Sequence, residues 1–307
     1  MHSRTISRLR SGVRLHYASR DEKKAATFSK THRGHGAYGS YEAALADPAI
    51  EVAFVANPPA HHLEWTLAAL EAGKDVIVEK PAFPDSRDFG PVREAIERSG
   101  RRVLVAENYF YKPLRGVLQR ILDEGLIGEP LLIQVNAVKQ QKVTDWRADP
   151  ALAGGGALLE GGVHWMHLMA NLGLDVDRVV GHRAGSSEGS DETVLVVFEY
   201  AGGAVGSLSY SWSVPSPMKG LRASRIFGRS GSVAFESNGV FVLVNGHHAR
   251  LRFPGFVDIA GYRAMFTDFF HALRTQEEPQ MTLDLAERDI KLVEDAVRSM
   301  TAAGEDA

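Results

Sequence analysis

Through its first third the chain alternates short apolar runs with helical patterns, and that alternation constrains the fold more than any other feature. Candidate strands fall at residues 13–17, 52–56, 76–78 and 103–106, the last three apolar throughout, with helical patterns at 22–30, 41–46, 62–72 and 87–100. Runs this apolar suit strands buried on both faces, and strands joined through helices lie parallel with right-handed crossovers. A doubly wound parallel sheet is therefore expected. After a helix near 114–124 the rhythm changes: candidate strands at 131–138, 179–182, 193–200, 204–212, 224–227, 232–235 and 240–244 are separated by Gly, Asn and Ser turns. That pattern predicts an α+β domain with a mostly antiparallel open sheet, closed by helices near 261–274 and 283–300. The expected domains are residues 1–112 and 113–307.

Composition narrows the partners. With 307 residues, 44% hydrophobic and 24% charged, the chain suits two globular domains. Its 35 basic and 38 acidic residues leave a net charge of −3, so no broad field recommends nucleic acid or an anionic membrane. The first residues hold no apolar signal core, and no run is long and apolar enough to span a bilayer. Zero cysteines exclude disulfides, thiolate nucleophiles and sulfur-ligated metals, and a cytoplasmic protein is expected.

In a doubly wound sheet, ligands bind beyond the carboxyl ends of the strands. Lys80 stands there, in Lys74-Asp75-Val76-Ile77-Val78-Glu79-Lys80-Pro81, where Pro81 fixes the backbone exit and Glu79 adds a neighbouring charge. The plain alternative is a surface lysine. Further motifs are Asn57-Pro58-Pro59-Ala60-His61-His62 and Ala68-Ala69-Leu70-Glu71-Ala72-Gly73-Lys74 upstream, and Gly125-Leu126-Ile127-Gly128-Glu129-Pro130 and Asp145-Trp146-Arg147 downstream. The last is Gly154-Gly155-Gly156-Ala157-Leu158-Leu159-Glu160-Gly161-Gly162-Val163-His164. Together they resemble the glucose-fructose oxidoreductase and inositol dehydrogenase family of NAD(P)-dependent enzymes, from about residue 13 to the C-terminus.

The resemblance implies a Rossmann-type first domain and hydride transfer between a nicotinamide cofactor and a sugar, polyol or related hydroxy or keto compound. It also implies a homo-dimer or homo-tetramer formed through the C-terminal sheet. The family's first strand and glycine-rich loop are missing, so the parallel sheet is expected to be N-terminally incomplete. Residues 2–11 read as the rest of the helix that follows that loop, and 13–17 as the second strand. The expectation is a shortened chain, its sheet gapped where the first strand belongs. Gly34-His35-Gly36-Ala37-Tyr38-Gly39 matches a glycine pattern literally but follows polar residues, and reads as a connecting loop.

On the cofactor side, Ser19 and Arg20 follow the second strand, where a hydroxyl and a guanidinium suit a 2′-phosphate and favour NADP over NAD. Asp21, one position on, suits NAD instead. By resemblance, Asn57, Pro58, His62, Glu79 and Lys80 line the cofactor. Starting after the three glycines, Glu160, His164, His167 and Asn171 recur at helical spacing, a polar stripe that needs a cleft or a buried network. The family's catalytic Asp and His match Glu160 and His164. His164 is expected to donate or accept the proton, Lys80 to polarise the substrate oxygen or relay the proton, and Glu160 to orient His164. Tyr109, Tyr111, Lys112, Trp146, Arg147 and His167 are expected on the substrate side.

Other readings stay open. Glu160, His164 and His167 could gather a metal, with His247 and His248 in a distant turn, although the resemblance implies none. Some relatives hydrolyse glycosides through a tightly held NAD. A non-catalytic binding or assembly protein is the third reading.

Overall fold

The computed structural model describes residues 2–9, 12–185, 191–216, 221–246 and 249–305; His247 and His248 lie outside them. The first domain runs α1 (His2–Arg8), β1 (His16–Ala18), α2 (Glu22–His32), β2 (Gly36–Tyr38), α3 (Tyr41–Ala46), β3 (Val52–Val55), α4 (His62–Glu71), β4 (Asp75–Glu79), α5 (Phe89–Ser99) and β5 (Val103–Ala106). β3, β4 and β5 form a parallel sheet with Val52 opposite Asp75 and Val76 opposite Val103. Val76 to Val78 and all four residues of β5 are buried, which accounts for their apolar makeup. The helices begin where the sequence supplies caps: Asp21 accepts from the Lys24 amide at α2, and Ser40 from Ala43 at α3. One expectation needs correction. Residues 36–38, read as part of a connecting loop, form β2, whose backbone pairs in parallel with β1.

The parallel sheet is in two pieces. β1 pairs with β2 and β3 with β4, but β1 and β3 share no ladder. Between them lies a cavity of about 710 Å³, walled by Val13, Leu15, His16 and Ala18 on one side and Val52 to Ala56 on the other. Ile6 of α1 also lines this gap. The inner edges of β1 and β3 therefore face this cavity and are not paired with each other.

The second domain contains α6 (Pro113–Asp123), β6 (Pro130–Val138), α7 (Pro150–Ala153), α8 (Val163–Ala170), β7 (Val176–Arg183), β8 (Thr193–Tyr200), β9 (Val205–Ser211), β10 (Ala223–Gly228), β11 (Gly231–Glu236), β12 (Val242–Asn245), β13 (Ala249–Arg252), α9 (Tyr262–Thr275) and α10 (Leu283–Glu305). Its eight strands are ordered β13-β12-β11-β10-β6-β9-β8-β7, antiparallel except for the β6–β9 pair. Alternation decides its faces: Val194, Val196, Phe198 and Tyr200 of β8 are buried while Leu195 and Glu199 are exposed. β13 is an edge strand that the turn pattern did not reveal. The C-terminal helices brace both domains, since Glu294 of α10 accepts from the Ser86 amide and hydroxyl at 2.7 Å each, and Arg93 of α5 pairs with Glu287.

Candidate active site

The carboxyl ends of β3, β4 and β5 open onto a cavity of about 560 Å³ whose opposite wall comes from the start of α8 and the antiparallel sheet. Asn57, Pro59, Glu79, Lys80 and Pro81 line the first wall. Trp146, Arg147, Glu160, Gly161, His164, Tyr210 and Arg222 line the second. The site thus needs both domains.

Lys80 leaves β4 at a cis bond to Pro81, and its Nζ donates to the Glu160 carbonyl at 2.6 Å. That carbonyl lies in a π-helical turn, Leu158–Gly162, leading into α8; such turns displace main-chain acceptors from the regular ladder. Two glycines let the turn approach its surroundings. A Cβ on Gly161 would lie 2.1 Å from the Tyr210 hydroxyl, and one on Gly156 would lie 1.8 Å from an Asp191 carboxylate oxygen. Asp191 in turn accepts from the Leu158 amide at 2.8 Å and steadies the start of the turn. Glu79 is held by His2 and by the Lys80 amide; burial alone would raise its pKa, but these partners keep the carboxylate below its ordinary range.

His164 keeps 16% of its side-chain surface exposed, and its ring lines the cavity. Its Nδ1 bonds the Glu107 carboxylate at 2.7 Å, and the Tyr109 ring stacks on it at 4.3 Å. Glu107 is fully buried, accepts from the Tyr109 amide at 2.8 Å, and lies 3.5 Å from His167, which is bonded in turn to Asp289 of α10. Burial would raise Glu107, but the His164 and His167 rings beside it hold its pKa at about 2. Burial pushes His164 below its ordinary range against the pull of Glu107. His167 is likewise buried, yet Glu107 and Asp289 on either side raise it. The raised His167 favours an imidazolium between two carboxylates and the lowered His164 favours a neutral ring, whose Nδ1 would then donate to Glu107 and leave Nε2 as the basic atom.

That network revises the expected partner of His164. Glu160 pairs instead with Arg147 at 3.1 Å. The i, i+4 argument assumed a regular helix, whereas the π turn changes the rotation between residues 160 and 164. Glu107 follows β5 as Lys80 follows β4, so a charged residue directly after an apolar strand was the available clue.

The other expected residues divide. Tyr109, Trp146 and Arg147 line the cavity, with the Arg147 guanidinium 4.3 Å over the Trp146 ring. Tyr111 does not: its hydroxyl donates to Asp268 at 2.7 Å and accepts from the Met281 amide, tying the domain together behind the site. Lys112 is buried with Nζ 4.1 Å over the Tyr109 ring, and burial lowers its pKa to about 8. His167 and Asn171 face Asp289, not the cavity. His62 is buried between the Asn57 carbonyl and those of Pro81 and Ala82, where it fastens the β3 turn to the β4 exit. Pro58 precedes the lining residue Pro59. Ser19 and the exposed Arg20 lie at the end of β1, on the detached strand pair. Sequence reasoning missed Glu107, Lys139, Tyr210, Ser211, Arg222 and Tyr262. The three residues proposed for a metal are engaged by Arg147, Glu107 and Asp289, and among the described residues no group of three or more His, Asp or Glu side chains is placed to hold one.

A parallel α/β domain whose strand ends meet an open-sheet domain across a polar cleft defines a two-domain class of dinucleotide-binding proteins. Two family models match the chain: "Oxidoreductase family, NAD-binding Rossmann fold" over residues 4–107 and "GFO/IDH/MocA C-terminal domain" over residues 117–234. The chain belongs to the GFO/IDH/MocA oxidoreductase family. It is 32% identical over 207 residues to the trans-1,2-dihydrobenzene-1,2-diol dehydrogenase of Bos taurus, a match covering 64% of this chain and 59% of that protein. The chain thus spans about three-fifths of the length of that relative. Among solved structures, an oxidoreductase from Thermotoga maritima superimposes with a TM-score of 0.85 at 24% identity, covering 98% of this chain and 92% of the other. Levoglucosan dehydrogenase in complex with NADH and levoglucosan gives 0.82 at 20%, covering 94% and 88%. These likenesses establish the shared fold. Among the described residues, no helix is long and apolar enough to cross a membrane.

Proposed function

We propose that this chain is an NAD(P)-dependent oxidoreductase that passes a hydride between the nicotinamide and a CH–OH group of a sugar, polyol or diol. The observation that carries the reading is the meeting of Lys80 and His164, from different domains, in one cavity at the carboxyl ends of parallel strands. The names of the similar proteins, a dihydrodiol dehydrogenase and levoglucosan dehydrogenase, support hydroxyl-bearing substrates.

The residues present fit the nicotinamide end of the cofactor. Asn57 Oδ1 is buried without a hydrogen-bond partner, an acceptor that an amide donor would satisfy. Asn57, Pro58, Glu79 and Lys80 would hold that end. Among the described residues, no glycine-rich strand-to-helix turn is present for the pyrophosphate. When bound, the cofactor supplies the hydride acceptor or donor. In oxidation, His164 Nε2 takes the hydroxyl proton and in reduction returns it, while Glu107 fixes the tautomer and stabilises the imidazolium. The Lys80 ammonium, anchored on the Glu160 carbonyl, polarises the reacting oxygen.

NADP is favoured over NAD because Arg20 is exposed at the end of β1 and the Ser19 hydroxyl, which accepts from the Asp21 amide, keeps its own proton to donate, while one Asp21 oxygen caps α2. The outer face of the large sheet presents Leu132, Leu195, Val205, Leu243 and Leu251, with Leu132 directly opposite Val205, and this supports a homo-oligomer through that face. The absence of cysteine supports a cytoplasmic setting.

Turnover with a panel of sugars, inositols and diols tests the reading. His164→Ala and Lys80→Ala should each lower kcat by about 10²–10⁴ while leaving cofactor affinity nearly unchanged. Full turnover in both variants would overturn it.

A further inference from the structure

The cavity carries more fixed positive charge than its own carboxylates balance. Lys80, Lys139, Arg147 and Arg222 line it, against Glu79 and Glu160. Glu79 is already engaged by His2, and Glu160 by Arg147. Arg222 is the unusual member, with only 6% of its surface exposed. Its Nη2 donates to Asn238 Oδ1 at 2.5 Å and its Nη1 to the Ala137 carbonyl at 3.4 Å, while Nε has no partner. The guanidinium lies 4.9 Å over the Trp165 ring. Glu236 is near enough to act on it electrostatically, yet that carboxylate accepts from the amides of Asn238 and Val240 and from the Asn238 side chain.

A guanidinium buried with only neutral hydrogen-bond acceptors costs several kcal/mol. Beside a ligand cavity the same arrangement is a preformed anion receptor, because the planar fork matches a carboxylate. Position assigns the anion. Arg222 and Lys139 stand with Tyr210 and Ser211 on the antiparallel-sheet wall, opposite Asn57, Glu79 and Lys80. A charge held there belongs to the substrate, not the dinucleotide. The receptor also lies close to the reacting groups: Tyr109 stacks on His164 and meets Trp165 edge-on at 5.1 Å, and Trp165 carries Arg222.

We propose that the substrate is a sugar acid, its carboxylate held by Arg222 with Lys139 at the cavity mouth and its reacting hydroxyl turned to His164 and Lys80. This rests on the oxidoreductase reading above. Lys112, the other buried cation at the Trp165 ring, does not line the cavity, so Arg222 alone presents a buried charge to the ligand, which matches the one charge of a carboxylate better than the two of a phosphate.

The test is titration of the 307-residue protein with D-glucuronate, D-glucose and D-glucose 6-phosphate, followed by tryptophan fluorescence, since Trp146 and Trp165 line the cavity. Glucuronate should bind at least tenfold more tightly than glucose, and the advantage should vanish in Arg222→Met and partly survive in Arg222→Lys. Lys139→Ala, at an exposed position, should reduce it by a few fold without perturbing the fold. Glucose binding as tightly as glucuronate in the unaltered protein, or phosphate binding more tightly than carboxylate, would overturn the inference. Oxidation of neutral sugars without a glucuronate preference would overturn it while leaving the oxidoreductase reading standing. Tight glucuronate binding with full turnover in the Lys80 and His164 variants would do the reverse.

Discussion

The antiparallel sheet is continuous and the parallel one is not. In the eight-stranded sheet every interior strand has a partner on each side. In the parallel region β3, β4 and β5 hold together while β1 and β2 stand apart across a cavity of about 710 Å³. Local pattern makes a strand; a neighbour makes a sheet. The division also sorts the chemistry, because Asn57, Lys80 and Glu107 follow strands of the intact piece, whereas Ser19 and Arg20 sit on the detached pair. The first domain's residues proposed for acid–base chemistry thus follow strands of the three-stranded piece, and those proposed to select the cofactor follow the separate pair.

The largest expected contrast is in stability. Phe198 is fully buried in the continuous sheet, and Phe198→Ala should cost about 3–5 kcal/mol in urea unfolding. Leu15 lines the gap and is half-buried, so Leu15→Ala should cost less than about 1 kcal/mol. Equal losses would mean that the gap is packed in solution and would break the comparison.

Acid should separate the regions next. Glu107 is held at about 2 against an ordinary 4.5, so its contribution is present above pH 4.5 and is lost as pH falls from there through 2. The difference corresponds to roughly 3 kcal/mol. Unfolding free energy measured across that window should fall more steeply in the unaltered protein than in Glu107→Gln. Parallel curves would show that the carboxylate is not held by its histidines.

Cofactor binding tests the gap directly. An apolar strand and glycine-rich turn fused ahead of His2, able to pair with both β1 and β3, should tighten NADP binding by about a hundredfold, near 2.7 kcal/mol. NADP bound as tightly by the 307-residue chain alone would show that the detached pair already suffices.

The sequence made much of this legible, and the failures have physical causes. β3, β4 and β5 were readable because each is a short apolar run between helical patterns, whereas the strand expected at 13–17 forms at His16–Ala18, its apolar signal diluted by Arg14 and His16. β2 was not readable, since its three residues are too short and too rich in glycine and tyrosine to show a pattern. Lys80 and His164 were found through motifs; Glu107 obeyed the same strand-end logic without one. Tyr109 and Tyr111 looked equivalent, yet the turn after β5 sends one ring into the cavity and the other toward Asp268. Arg222 lies in a loop with no local pattern, and only the folded sheet brings it to Trp165.

The smallest effect bears on which carboxylate serves His164. Glu160 is paired with a half-exposed Arg147, an interaction worth about 0–1 kcal/mol, and Lys80 uses its main-chain carbonyl, which a side-chain change leaves in place. Glu160→Gln should therefore lower kcat by less than about tenfold, or 1.4 kcal/mol. Glu107→Gln should do far more, because a neutral amide can present its NH₂ to Nδ1, shift the ring proton to Nε2 and remove the free base. Its pH–rate profile should also change, whereas that of Glu160→Gln should keep the same shape. If instead Glu160→Gln is the more damaging change and alters the profile, the carboxylate of the π turn reaches His164 during turnover, and the assignment of Glu107 as its orienting partner fails.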